Sequence, residues 1–146
     1  MPCVFCAFAS GKRKKNTNGF PFIPLRETEK TLTFLATAFP AREDGHMLVI
    51  PKKHYNNITD IPPRLLAVLA QEVRLACAVL KKSHPGSNIL LNNGSAAGQC
   101  IPHVHFHIIP RNRGDGIRIE VWKEKKLSEK KFVALSKKLA KAFHDL

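Results

Sequence analysis

At 146 residues the chain is expected to form one domain, large enough to bury about 70% of its unfolded surface without disulfide or metal staples. Its 24 lysines and arginines against 11 aspartates and glutamates leave a formal charge of +13, which favours polyanionic partners. No apolar run approaches the ~20 residues of a membrane span, and Cys3 and Cys6 fall where a secretory leader would begin its apolar core. His144-Asp145-Leu146 matches no carboxyl-terminal address signal, so a cytoplasmic protein with no membrane partner is expected.

In chain order, a short amino-terminal segment carrying Cys3 and Cys6 precedes a polar loop from Lys12 to Asn18, closed by Gly19. Residues 20–26 and 31–38 read as strands around a Glu27-Thr28-Glu29-Lys30 turn. Pro40 to Gly45 reads as a connection, and His46 to Ile50 as a third strand ended by Pro51. From Ile61 to Lys82 the pattern turns helical, with Leu65, Leu69, Val73, Ala76 and Leu80 at three- and four-residue spacing. Asp60 and Pro62-Pro63 mark its start and Pro85-Gly86 its stop. Asn88 to Asn92 is a fourth strand and residues 103–109 a fifth. Phe132, Leu135, Leu139 and Phe143 suggest a last helix capped by Ser128. Strands dominate and one long helix interrupts them, which points to an α+β fold, an antiparallel sheet with helices packed on it.

The most informative stretch is His103-Val104-His105-Phe106-His107-Ile108. In an extended strand, alternate side chains share a face, so the histidines line one surface while Val104, Phe106 and Ile108 pack inward. Neutral imidazole serves as ligand, base or nucleophile near pH 7, so the row either binds a metal or acts on an anionic substrate. Upstream, the polar turn Asn92 to Gln99 is punctuated by Gly94 and Gly98, and backbone amides in such loops can cradle phosphate oxygens. Cys3 and Cys6 have metal-site spacing but need two more ligands, for which His54 and His103 are candidates; Cys77, in the helical pattern, reads as core. The four cysteines are expected to stay reduced. Basic runs at Lys12-Arg13-Lys14-Lys15 and from Lys123 to Lys131 carry much of the charge. No nucleic-acid motif accompanies them, so charge supports a phosphate-bearing small molecule, with nucleic acid possible but not favoured.

The histidine row, Gly45-His46-Met47-Leu48-Val49-Ile50-Pro51-Lys52-Lys53-His54 and Cys3-Val4-Phe5-Cys6 together resemble the histidine triad family over about residues 3–111. That resemblance implies a domain over residues 1–111; residues 112–146, which it does not cover, are expected to be a basic extension whose helix packs on the same domain. The implied fold is a five-stranded antiparallel sheet with one long helix and a short carboxyl-terminal helix, in a homodimer. Zinc-bearing members and the related galactose-1-phosphate uridylyltransferases imply a structural zinc at Cys3, Cys6, His54 and His103, with no organic cofactor. By the same resemblance His105 is the nucleophile that becomes nucleotidylated, and His107 serves a phosphoryl oxygen or the leaving group. Gln99 and the loop amides around Gly98 hold the remaining oxygens, His46 lines the pocket and Asn92 contacts substrate.

Two positions depart from the family pattern. Ala38 stands where an acidic residue holds the ribose, leaving Glu43 or Asp44 as substitutes, and Cys100 stands where a hydroxyl faces phosphate. The implied activity is that of a nucleotidyl hydrolase or transferase cleaving at the α-phosphate of nucleoside phosphoramidates or dinucleoside polyphosphates. The alternatives are a nucleotide-binding scaffold with little catalysis, a deadenylase acting on nucleic-acid ends, and a metalloenzyme using all three histidines as one site.

Overall fold

The central strand of the sheet is buried along its whole length because both of its faces are covered. The computed structural model describes residues 3–38, 44–119 and 125–146. Its elements run α1 (Val4–Ala9), β1 (Pro24–Glu27), β2 (Thr31–Leu35), β3 (Met47–Pro51), α2 (Pro63–Leu80), β4 (Gly86–Leu90), β5 (Phe106–Arg111) and α3 (Glu129–His144). The strands form one five-stranded antiparallel sheet in the order β1-β2-β3-β5-β4. On β3, Met47 and Val49 join a core with Leu69, Val73, Ala76 and Leu80 of α2, together with Val104 and Ile108. Leu48 and Ile50 point the other way, into a core with Leu32 and Phe34 of β2 and Phe5 and Phe8 of α1. The unbroken apolar sequence of β3 is what a strand covered on both faces requires.

The five strands and the α+β arrangement match the expectation, while several boundaries and one helix differ. Residues 20–23 are not in β1; an isolated bridge from Lys15 to Pro21 makes them one arm of a tight turn. β4 starts at Gly86, in the segment read as a helix stop, and ends at Leu90. β5 starts at Phe106, so His103 and His105 precede the hydrogen-bonded ladder. α1 was not expected at all. The carboxyl-terminal helix is not short: α3 has 16 residues against 18 in α2. Nor do its apolar residues meet the domain, since Phe132 and Phe143 are 62% and 77% exposed. Helical periodicity specifies an apolar face without specifying what covers it. The expected connection from Pro40, the candidate Glu43 and the start of the basic run at Lys123 lie outside the described residues.

Candidate active site

The alternation of the histidine segment survives where the ladder does not. Val104 and Ile108 are buried in the α2 core, with Phe106 packed against it, which sends His103, His105 and His107 to the opposite face. The Val104 amide donates to the Tyr55 carbonyl (2.8 Å) and holds the lead-in to β5 extended. Within the ladder, His107 is paired with Leu48 of β3 and Leu90 of β4. His46, one residue before β3, is fixed by its own carbonyl accepting from the Ala36 amide (2.9 Å).

Carbonyl partners determine which ring nitrogen of each histidine stays free, because a carbonyl only accepts. His105 Nδ1 lies 2.7 Å from the His103 carbonyl and donates to it, leaving the Nε2 lone pair available. His46 Nδ1 donates to the Ala38 carbonyl (3.1 Å), so His46 Nε2 accepts from His107 Nδ1 (3.0 Å). The lone pair of His107 is therefore also on Nε2. The rings of His105 and His107 lie 4.8 Å apart. Burial pushes His107 down to about 4, with His105 and His46 adding to the effect. Burial likewise lowers His105 and His46, opposed in each case by the accepting carbonyl. At pH 7 the group is a set of neutral imidazoles with two free lone pairs.

These histidines close one end of a cavity of ≈ 310 Å³, whose apolar wall includes Phe5, Phe8, Phe34 and Leu48 and whose rim includes Thr17, Thr37 and Cys100. Phe5 is the residue that sequence reasoning missed. Its ring and those of His103 (centroids 5.7 Å apart) and His105 (5.2 Å) are in edge-to-face contact, so α1 packs directly on the histidine row. The spacing of Phe5 and Phe8, one turn apart beside Cys3 and Cys6, is the signal that could have found it. Ala38 contributes through its backbone, where its carbonyl fixes His46.

Not every expected site residue comes to the cavity. Gln99 spends both ends of its amide within the chain, accepting from the Gly94 amide (2.7 Å) and donating to the Asn56 carbonyl (2.9 Å). Asn92 donates to the Gly98 carbonyl (3.4 Å), and neither Asn92, Gly98 nor Gln99 lines the cavity. The amides of Gly98 and Gln99 bond to Ser95 and Gly94, because a 3-10 turn at Ser95–Ala97 consumes the donors that an open anion loop would offer. Asp44 is described and exposed, and also lies outside the cavity lining.

The second cluster brings Cys3, Cys6, His54 and His103 together, with their ligand atoms all within 4.8 Å of one another. Cys3 Sγ to His103 Nδ1 is 3.4 Å, Cys6 Sγ to His54 Nδ1 3.3 Å, and Cys6 Sγ to His103 Nδ1 3.6 Å. A tetrahedral zinc ion with ordinary bond lengths separates sulfur and nitrogen ligands by about 3.5 Å. Both imidazoles are oriented for this by their far nitrogens: His103 Nε2 donates to the Pro51 carbonyl (2.9 Å) and His54 Nε2 to Asn56 Oδ1 (2.9 Å). Such outer partners fix the tautomer that presents Nδ1 as a ligand. Burial, with Cys3 as neighbour, pushes the Cys6 thiol up to about 11, and burial pushes His103 down to about 4. A cation among them would reverse the thiol shift. Two sulfurs and two nitrogens at these separations fit a tetrahedral zinc ion, and the bond from Gln99 to Asn56 ties the glycine loop to this cluster.

The HIT domain family matches residues 25–114 of the chain. An adenosine 5'-monophosphoramidase of Schizosaccharomyces pombe is 33% identical over 142 residues, covering 96% of this chain and 97% of the relative. A HIT family protein from Bacillus subtilis is similar in structure, with a TM-score of 0.81 and 32% identity over 97% of this chain and 96% of that one. A Zn-bound histidine triad family protein from Mycobacterium smegmatis has a TM-score of 0.68 and 37% identity, covering 85% of each chain.

Proposed function

The chain belongs to the HIT domain family, and from that premise we propose that it is a nucleotidyl hydrolase or transferase acting at the α-phosphate of nucleoside phosphoramidates or dinucleoside polyphosphates. The observation that carries this reading is the 2.7 Å bond from His105 Nδ1 to the His103 carbonyl, which leaves Nε2 as a neutral nucleophile at the cavity wall. The similarity to an adenosine 5'-monophosphoramidase supports the same chemistry.

In the first step His105 Nε2 attacks the α-phosphorus, the bond to the leaving group breaks, and His105 carries the nucleotidyl group as a charged imidazolium. The His103 carbonyl stabilises that charge through the Nδ1 proton. The leaving group needs a proton. His107 resists protonation in the free protein, but a bound anion favours the charged form of a neighbouring imidazole, so substrate itself readies His107 as the acid. In the second step water attacks phosphorus as His107, neutral after protonating the leaving group, takes the water's proton; the P–N bond breaks, and nucleoside monophosphate leaves with His105 neutral again. His46 holds the His107 ring in place. The Cys100 thiol lines the cavity and donates to the Gly98 carbonyl (3.6 Å); it is proposed to turn to a phosphoryl oxygen when substrate binds, with Asn92, Gly98 and Gln99 setting the loop's shape.

Cys3, Cys6, His54 and His103 are proposed to hold a structural zinc ion. When bound, it cross-links α1, the segment after β3 and the lead-in to β5. A cytoplasmic homodimer using a small nucleotide substrate completes the proposal; no helix among the described residues is long and apolar enough to cross a membrane.

The test is release of AMP from an adenosine phosphoramidate by the wild-type protein and by His105→Ala. Release that the variant loses is the expected result. Tight nucleotide binding by folded wild-type protein with no release from phosphoramidate or dinucleoside polyphosphate would contradict the catalytic reading.

A further inference from the structure

The segment that follows β3 is used residue by residue, each position holding a different part of the molecule. His54 enters the thiol–imidazole cluster through Nδ1. The Tyr55 carbonyl accepts from the Val104 amide in the lead-in to β5 (2.8 Å). The Asn56 carbonyl accepts from Gln99 Nε2 (2.9 Å), and the Ile58 amide donates to Asn93 Oδ1 (2.8 Å). A capping box between Asn57 and Asp60 closes the segment into a 3-10 turn. Within a few residues the chain thus passes from the cluster to the glycine loop, which leads into Cys100 on the rim of the histidine cavity.

Asn56 and Gln99 form the joint in this path. His54 and Asn56 are both exposed, so the His54 ring relies on its far nitrogen donating to Asn56 Oδ1 (2.9 Å). Gln99 uses both functions of its amide: Oε1 accepts from the Gly94 amide (2.7 Å) while Nε2 donates to Asn56. Its own backbone amide donates to the Gly94 carbonyl (3.2 Å), so Gln99 clasps the start of the loop to its end. The loop turns through Gly94 and Gly98 at φ of +89° and +82°, a path that residues with a side chain take only under strain. One of the bonds that hold this shape therefore comes from the residue that orients a candidate metal ligand.

Resting on the zinc and nucleotidyl-transfer readings, we propose that Asn56 and Gln99 are positioning residues that couple metal in the cluster to nucleotide in the histidine cavity. A His54 ring held by the cluster fixes Asn56. The Asn56 carbonyl then fixes Gln99, and with it the backbone that carries Cys100 to the rim. A phosphate that orders this loop acts back on the cluster through the same bonds, because a coupling free energy is reciprocal. The path is distinct from the bond between His105 and the His103 carbonyl, which runs through the backbone of the histidine row.

The test is zinc release from the loaded protein to a chromogenic chelator, with and without saturating AMP. In wild type, AMP is expected to slow release about fivefold, the effect of one partly exposed hydrogen bond. Gln99→Glu keeps an acceptor for Gly94 but offers no donor to Asn56; it is expected to retain zinc while the slowing falls to near one. Asn56→Ala is expected to release zinc faster without AMP and to lose the slowing, and Asn56→Asp, which keeps an acceptor for His54, to restore both. A merely structural role would lower the unfolding midpoint and leave the ratio of release rates as in wild type. Release that AMP leaves unchanged in wild type, or slowing that persists in Gln99→Glu and Asn56→Ala, would overturn the proposal. Wild-type protein that holds zinc but binds no AMP would sink the nucleotide reading, and protein that binds AMP but no zinc the metal reading, each taking the proposal with it.

Discussion

His103 and His105 stand two residues apart, both are buried, and both rings are in edge-to-face contact with Phe5, yet they present opposite nitrogens. His103 donates from Nε2 to the Pro51 carbonyl and turns Nδ1 toward two thiols. His105 donates from Nδ1 to the His103 carbonyl and keeps Nε2 free at the cavity. Residue type and strand face are the same; the carbonyl that each ring reaches is not. On the proposed function, these backbone partners divide the histidine row into an end that holds metal and an end that reacts. The two ends are also linked, since the acceptor that orients His105 is the backbone of a candidate metal ligand.

The largest expected effect falls on the reacting end alone. His105→Ala is expected to lower turnover by about 10⁴-fold or more, as loss of a nucleophile does, while zinc content stays as in wild type and the unfolding midpoint falls less than on loss of the metal cross-link. Kinetics and metal analysis on one preparation check both halves. At the holding end, His103→Ala is expected to lose stoichiometric zinc and lower the unfolding midpoint by about 10 °C. That is the effect of some 3 kcal/mol from a truncated buried side chain and a lost cross-link in a domain of this size. Thermal unfolding with and without added zinc measures it, and an unchanged midpoint with full zinc content would break the division.

A pH series sharpens the comparison at His107 and His46. Both sit below the ordinary imidazole value of 6.5, His107 at about 4, because burial penalises the charged ring. The unfolded chain therefore takes up protons before the folded one does. Their contribution to stability is complete above about pH 6.5 and is lost as pH falls toward 4. The acid limb of kcat/KM, which reports the free protein's nucleophile, is expected below 6.5, because burial lowers His105. A limb at or above 6.5 would show that the imidazoles are not held neutral by burial. The smallest effect belongs to α3. Ser128 caps it by accepting from the Lys131 amide, and Ser128→Ala is expected to cost that helix about 1 kcal/mol without changing zinc or turnover. Amide exchange across residues 129–144 reads the loss.

Much of this division was legible in the sequence, for reasons that differ residue by residue. Alternation placed His103, His105 and His107 on one face even though the ladder begins only at Phe106, because an extended chain keeps its period of two without a partner strand. The buried run of β3 and the spacing of α2 were equally clear. By contrast, α1 is six residues long, too short for helical periodicity to stand out from its two cysteines. Gln99 and Asn92 could face a ligand or brace their own loop, and one polar letter does not distinguish the two. The part played by Ala38 is carried by a carbonyl that every residue owns. The apolar stripe of α3 was readable, but its exposure within the chain was not.

Native mass spectrometry of wild-type, His105→Ala and His103→Ala proteins after a brief incubation with adenosine phosphoramidate tests the division most directly. The expected result is one zinc and a nucleotidyl adduct on wild type, zinc without adduct on His105→Ala, and diminished zinc on His103→Ala. Loss of zinc from His105→Ala, or an adduct that survives in it, would contradict the account.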